Sequence, residues 1–167
     1  MGGAPHQASI SHALPSAPGW GMDAADVRRA LRDAILELGE WTESPTVFGP
    51  GSDPSSLAHR SFGVLLEAEE NLQIYRDRKA EWCRARQRAV IRYAYRLRPN
   101  AIGDQWMDLD DAIEAGHSIV RRLLNFEGAH NRGLALRYER SSRTIADSGK
   151  WVLVDLEFSV DHNVSLG

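Results

Sequence analysis

Cysteine is almost absent from this sequence of 167 residues, which contains only Cys83. One cysteine cannot form a disulfide within the chain, and it has no partner for a CxxC zinc or redox motif. We therefore expect Cys83 to be a small buried side chain. The lack of disulfides predicts a protein that is made and used in a reducing, cytosolic setting.

Long hydrophobic runs and a strong charge of one sign are also missing. No stretch approaches the roughly 18 consecutive apolar residues of a membrane span, and the N-terminus lacks the basic and apolar regions of a secretory signal. The formal net charge is −3 and the pI is about 6.1, so the chain as a whole is not drawn to nucleic acid or to an anionic membrane. The sequence predicts a soluble protein with no membrane partner, in which any electrostatic function must be local.

Sequence motifs for catalysis, cofactors and metals are not found either. The chain has no Gly-rich phosphate loop, no HExxH and no GxSxG. Its six histidines are scattered instead of being spaced as ligands, and Asp108, Asp110 and Asp111 fit the acidic start of a helix better than a metal cluster. We predict no catalytic residues, no metal and no cofactor. A nucleophile and base that meet only on folding would not be visible at this level.

Length and hydrophobic content predict one domain that follows an N-terminal arm. Hydrophobic residues make up 43% of the chain, and a chain of this length buries roughly 70% of its unfolded surface. Residues 1–22 are rich in Gly, Ala, Pro, Ser and His, which predicts a flexible arm. Residues 23–167 predict a single α+β domain. Within it, residues 41–60 predict a long loop that is either functional or a solvated connection.

Two helices are indicated by apolar residues at helical spacing. The first begins at an Asp23 N-cap, with Asp26 near the positive end of the helix dipole, and ends before Gly39. The second is predicted to begin at an Asp108 N-cap and to have basic residues in its last turn. Its expected apolar face comprises Leu109, Ala112, Ile113, Gly116, Val120, Leu123 and Leu124.

The remaining segments alternate with the period of a β-strand. A first strand is expected from Phe62 to Ala68. The C-terminal third predicts a hairpin that turns at residues 147–149 and ends in a strand with its apolar face at residues 152–160. The expected fold is α+β, a mostly antiparallel sheet of about four to five strands with two main helices packed on one face.

The most informative segment is residues 81–97, in which apolar residues alternate with arginine. The pattern predicts a strand with one dry face and one basic face. A helix through Trp82, Ala85 and Ala89 can also be drawn, but it would scatter the arginines around its circumference. The arginines at even positions in and just after this segment are Arg84, Arg86, Arg88, Arg92, Arg96 and Arg98.

The last strand carries an acidic face with the same period. Arginine and carboxylate side chains would pair if the two strands are neighbours in one chain or meet across subunits. The arginine face could instead be solvated, or it could contact nucleic acid. The subunit or partner interface that we predict from this pattern comprises Arg84, Arg86, Arg88, Arg92, Asp155, Glu157 and Asp161.

The order of helix, strands, capped helix and C-terminal hairpin resembles the tail terminator and tail-completion proteins of long-tailed bacteriophages and related gene-transfer particles. Residues 88–97 (RAVIRYAYRL) resemble the central strand of that family, residues 108–124 the helix after it, and residues 134–164 its closing hairpin. The resemblance covers residues 23–164 and rests on element order and pattern, because the family has no diagnostic short motif. The arm and the loop at residues 41–60 are longer than the minimal family pattern.

The resemblance implies a structural virion protein without enzymatic activity. Such proteins form a ring, usually hexameric, on the last ring of the tail tube protein, where they stop polymerisation and present a surface to the head-side connector or stopper protein. DNA would pass through the ring without sequence-specific binding. The chain would be made in the host cytoplasm and act in the virion, at the head–tail junction. The alternatives are another neck component, such as a head-completion or connector protein, and a small nucleic-acid-binding domain.

Overall fold

The computed structural model describes residues 22–72, 82–98, 104–126 and 133–165. The predicted N-terminal arm, apart from Met22, lies outside these residues. The elements follow in the order α1 (Ala24–Leu36), β1 (Thr42–Glu43), β2 (Ser61–Asn71), β3 (Trp82–Arg96), α2 (Asp104–Asn125), β4 (Ala135–Ala146) and β5 (Trp151–Ser165). Short 3₁₀ turns occur at Pro54–Ser56 and Asp147–Gly149, the second of which forms the predicted hairpin turn.

The five strands form one sheet in the order β1-β2-β3-β5-β4. β1 pairs with β2 in parallel over two residues, and the other neighbours are antiparallel. The central pair is β3 with β5, in register from Trp82 opposite Ser165 to Arg96 opposite Trp151. The register shifts once in β2 and once in β4, as at a β-bulge. The predicted α+β fold with a mostly antiparallel sheet is confirmed.

Residues 82–96 form a strand, which confirms the interpretation of the arginine alternation and excludes the helix that was its alternative. Every odd-numbered residue from Cys83 to Tyr95 is buried, and Cys83 is a free thiol. Two even-numbered residues, Val90 and Ala94, are buried as well. The basic face of β3 is therefore interrupted by apolar side chains that the alternation did not predict.

Both helices cover the same face of the sheet and enclose the main core. The odd positions of β3 and the even positions of β5 point to this side, because alternate side chains of a strand share a face. The helices lay their apolar faces on them, and burial of this apolar surface is the main source of stability. The largest fully buried side chains of this core include Tyr93, Phe62, Phe158, Leu31, Ile35, Ile91, Ile119 and Leu123.

The first helix begins as the sequence predicts. The Asp23 carboxylate accepts a hydrogen bond from the Asp26 backbone N–H at 2.7 Å, and the Asp26 carboxylate accepts one from the Asp23 N–H at 3.3 Å. This reciprocal capping box satisfies N–H groups that have no partner within the helix. After the helix, Gly39 has a φ of 77°, a left-handed conformation that glycine adopts without steric cost.

The predicted start of the second helix is wrong. α2 begins at Asp104, so Asp108 lies one turn inside it, and Asp110 and Asp111 are beyond its first turn. The Asp108 carboxylate instead accepts hydrogen bonds from the backbone N–H and from Nη2 of Arg98, each at 2.8 Å. An aspartate that binds another segment cannot be distinguished from an N-cap by sequence pattern alone.

The predicted apolar face of α2 is also only partly right. Leu124 is 43% exposed, whereas Ala115 and Ile119 belong to the buried side of the helix. The earlier start of the helix does not change its phase. Leu124 is exposed because successive helical residues are turned by about 100°, which points it away from the side on which Leu123 is fully buried.

Candidate functional site

The face of the sheet that points away from the helices carries the predicted arginine and acidic residues. β3 and β5 are neighbours, and their register places Arg86 opposite Asp161 and Arg92 opposite Asp155. Directly opposed residues of an antiparallel pair have their side chains on the same face. Of the two arrangements left open by the sequence, the structure therefore has the one in which the charges pair within one chain.

Two of these pairs are bidentate. Arg86 donates from Nε and Nη2 to the two Asp161 oxygens at 2.7 and 3.0 Å, and Arg92 donates in the same way to Asp155 at 2.7 and 2.7 Å. The planar guanidinium fork matches a carboxylate, so these contacts fix geometry as well as charge. Arg92 also donates from Nη1 to the Phe48 carbonyl at 3.0 Å, which connects the pair to the loop at residues 41–60.

A row of alternating charges crosses four strands at Glu157. The Glu157 carboxylate lies 3.0 Å from Nη2 of Arg88 on β3 and 2.8 Å from Nε of Arg140 on β4. Nε of Arg88 in turn lies 3.1 Å from the Glu67 carboxylate on β2. The order Glu67, Arg88, Glu157, Arg140 from β2 to β4 is called the charge row below. It begins with a negative charge at one side of the sheet and ends with a positive charge at the other.

The remaining arginines of the pattern have other contacts. Arg84 donates to the Gly133 carbonyl at 2.7 Å and to the Asn163 side-chain oxygen at 3.0 Å. Arg98 leaves the face entirely, because it binds Asp108 on α2. The seven residues of the predicted interface share one face, because the even positions of β3 lie opposite the odd positions of β5.

Pairing shifts the pKa values on this face toward the charged forms. The hydrogen bond from Arg86 lowers the pKa of Asp161, against the opposing effect of burial. Arg140, opposed by burial and assisted by Arg88, lowers the pKa of Glu157. The hydrogen bond to Asp155 raises the pKa of Arg92. Arg86, Arg88 and Arg92 each contact a carboxylate, so the charges of these three arginines are matched within the chain.

The loop at residues 41–60 covers one end of this face. Phe48 is 4% exposed and packs with Ala94, Trp151 and Leu153 in a second, smaller apolar cluster. Between the loop and β2 lies an open groove of about 320 Å³, whose lining includes Glu43, Val47 and Val64. The loop is therefore more than a solvated connection, since it holds a core residue against the sheet.

His162 is a buried residue whose environment the sequence analysis missed. Its side chain is fully buried, with Nδ1 2.9 Å from the Met22 carbonyl and Nε2 3.6 Å from the Glu69 carboxylate. Met22 also donates its N–H to the Asn163 carbonyl at 2.8 Å, so it is attached to β5 and belongs to the domain. The signal was present in the sequence, because position 162 continues the apolar parity of the last strand.

The chain matches no family model and no curated protein sequence. In the described part of the chain, no group of three or more His, Cys, Asp or Glu side chains could hold a metal ion, and neither helix is long and apolar enough to cross a membrane. The charged face and the strand edges are therefore the features of the described residues from which a function can be argued.

Proposed function

We propose that this chain is a tail terminator, a structural virion protein that forms a ring on the end of a phage tail tube. The ring would stop tube polymerisation and join the tail to the head-side connector or stopper protein. The observation that carries the proposal is the layered α+β fold, in which both helices cover one face of a mostly antiparallel sheet. Its order of helix, strands, helix and closing hairpin is the order on which the resemblance to tail terminators rests.

The sheet has the properties that the wall of a ring requires. β3 and β5 are 15 residues long and pair over their full length. The bidentate pairs and the charge row add side-chain contacts on the face without helices. A slip of the register by one residue would move every side chain to the opposite face, so the charge pairs and the core favour the same alignment. A subunit with one well-defined sheet presents the same surfaces in every copy, and a closed ring requires that every contact between copies is the same.

The paired charges of the face support a structural role over nucleic-acid binding. Proteins that bind nucleic-acid backbones use arginine and lysine side chains to neutralise phosphates, which releases the counterions bound to the nucleic acid. Here each of Arg86, Arg88 and Arg92 already contacts a carboxylate. DNA could pass such a surface without being held. The seven predicted interface residues stay a prediction, and at an interface they would contribute polarity and shape more than unpaired charge.

The proposal is tested with the purified full chain and a tail tube protein encoded in the same genome. We expect electron microscopy to show rings with a central hole, and we expect the chain to stop elongation of the tube and to decorate one end. Rings that bind a head connector but leave tube elongation unchanged would assign the chain to another neck position. Failure to form rings, together with unaltered tube growth, would overturn the proposal.

A further inference from the structure

We propose that copies of this chain associate head to tail, with the open edge of β2 in one copy pairing with the outer edge of β4 in the next. The inference deepens the proposed ring function, and it rests on that function for the closure of the ring. The edges themselves supply the argument. Glu67 and Arg140 already pair with Arg88 and Glu157 within the chain, but both side chains stay largely exposed, so they can also face a neighbouring copy.

Both edges have backbone groups available for another strand. β1 pairs with β2 only at Ser61 and Phe62, and within the described residues no strand neighbours residues 63–70 on that side or β4 on its outer side. Ser44 donates its N–H to the Phe62 carbonyl at 2.8 Å, so the backbone groups of Phe62 point outward. Those of Val64 and Leu66 do the same, because orientation repeats every two residues. Such edges are templates for pairing with another chain.

The two edge strands have opposite charges. β2 has three glutamates and no basic residue, whereas β4 has three arginines and one glutamate. Both sets reach solvent, with side chains 46% exposed at Glu67 and 67% exposed at Arg140. The charged residues are Glu67, Glu69 and Glu70 on β2 and Arg137, Glu139, Arg140 and Arg143 on β4.

Charge decides which edges can meet. Two β2 edges would place glutamates opposite glutamates, and two β4 edges would place arginines opposite arginines, and like charges that are directly opposed destabilise a strand pair. β2 against β4 brings opposite charges together. That contact joins two different surfaces, so it continues around a ring or along a filament, whereas contact between identical edges ends at a dimer. The edges therefore favour a head-to-tail arrangement and disfavour the symmetric dimer.

Strand direction is compatible with this pairing. Neighbours from β2 to β4 in the sheet order are antiparallel, so β2 and β5 run one way and β3 and β4 run the other way. Rotation about an axis that follows the strands preserves direction. β2 of one copy would then meet β4 of the next as an antiparallel neighbour, and all helices would stay on the same side.

The charge row would continue from copy to copy. It starts with Glu67 on β2 and ends with Arg140 on β4. In the head-to-tail arrangement Arg140 of one copy lies beside Glu67 of the next, which preserves the alternation of signs. The groove of about 320 Å³ that adjoins Val64 leaves space at one end of this contact.

Two variants with reversed edges test the pairing. Glu67→Lys with Glu70→Lys makes both edges of one copy basic, and Arg140→Glu with Arg143→Glu makes both edges of the other acidic. We expect each variant alone to lose association by about tenfold or more, because like charges replace opposite ones. Mixing the two in equal amounts should restore assembly, since basic edges then meet acidic edges. Light scattering reports the mass, and circular dichroism checks folding.

The control is Asp111→Lys with Glu114→Lys, which makes the same change of charge as Glu67→Lys with Glu70→Lys. It places that change on exposed positions of α2 and should leave assembly unchanged.

Hydrogen exchange of the unmodified protein provides a second readout that needs no variant, and assembly should slow exchange of the Val64 and Leu66 amides. Wild-type assembly by each variant alone, failure of two folded variants to assemble on mixing, or unchanged exchange at these amides would overturn the inference. Rings that still cap tubes in that case would leave the proposed function intact.

Discussion

At the scale of single residues, the contact between α2 and Tyr93 of β3 depends on Gly116. The Tyr93 hydroxyl is buried and donates to the Ala112 carbonyl at 2.6 Å, while Trp41 packs edge-on to its ring with centroids 5.0 Å apart. Burial raises the pKa of this hydroxyl, so it stays protonated and remains a donor. A Cβ on Gly116 would overlap the Tyr93 hydroxyl oxygen and lie 3.3 Å from Cζ. Glycine is therefore required at this position by packing, although it weakens a helix.

We expect Gly116→Ala to lower the free energy of unfolding by about 1–3 kcal/mol, which is typical of overpacking in a core. This loss would outweigh the gain of about 1 kcal/mol from the better helix propensity of alanine. Adding Tyr93→Phe should recover part of it, because the overlapping oxygen is removed. Urea denaturation of the single and double variants measures the coupling. Gly63→Ala is the control, since a Cβ there meets nothing within 4 Å, and a Gly116→Ala protein of increased stability would contradict the packing argument.

At the scale of elements, β3 and β5 are joined by side-chain charge as well as by backbone hydrogen bonds. The carboxylates of Asp155 and Glu157 have only 22% and 14% of their side-chain surface exposed. Exposed ion pairs add little to stability, but removing one partner of a partly buried pair leaves a charge without compensation. These pairs therefore discriminate against wrong registers more than they add to the total stability.

Stability should decrease in acid because of these pairs. Arg86 lowers the pKa of Asp161 from its ordinary 3.8, and Arg140 lowers that of Glu157 from 4.5. A lowered pKa in the folded state gives stabilisation that is present above the unfolded pKa and is lost as the pH falls through the folded pKa. The free energy of unfolding should thus decline as the pH drops below about 5. Urea denaturation at several pH values measures the decline.

Arg86→Gln removes the main cause of the shift at Asp161, so it should make the acid-dependent decline shallower. Arg121→Gln serves as the control for the loss of one positive charge, because Arg121 lies on α2, away from the sheet face. An identical pH dependence in Arg86→Gln and the unmodified protein would show that this pair does not couple to folding.

At the scale of the whole molecule, the modest net charge of −3 hides a difference in charge between the two edges of the sheet, β2 and β4. One face is covered by helices, the other carries paired charges, and the two edge strands β2 and β4 have net charges of opposite sign. A head-to-tail assembly uses both of them, so the difference in charge favours a subunit of a larger structure.

We expect the thermal unfolding midpoint to rise with protein concentration, because association that requires the folded state stabilises it by mass action. Scans between about 1 and 100 μM should reveal the shift, since a hundredfold change in free partner is worth about 2.7 kcal/mol at saturation. The Glu67→Lys, Glu70→Lys variant should lack this dependence. A midpoint that does not change with concentration in the unmodified protein would argue against association in this range.

Local patterns predicted the parts of the molecule that depend on near neighbours. The Asp23 cap, the end at Gly39 and the two faces of β3 follow from spacing within a few residues. Predictions failed where a residue binds a distant segment. Asp108 is a residue type that is common at N-caps, but its carboxylate binds Arg98. Phe48 lies in a sequence typical of a loop, but it is buried against β5. The subunit or partner interface at the paired residues stays a prediction.

The sequence by itself determined which side chains share a face, since the period of a strand or helix is a property of the backbone. It also determined that one β3 face is basic and one β5 face acidic. Only the tertiary structure decided that these faces lie side by side and neutralise each other, because sheet order and register depend on contacts between residues as far apart as Arg86 and Asp161. The same order left β2 and β4 at the outside, so it was the fold that placed the opposite charges at opposite edges.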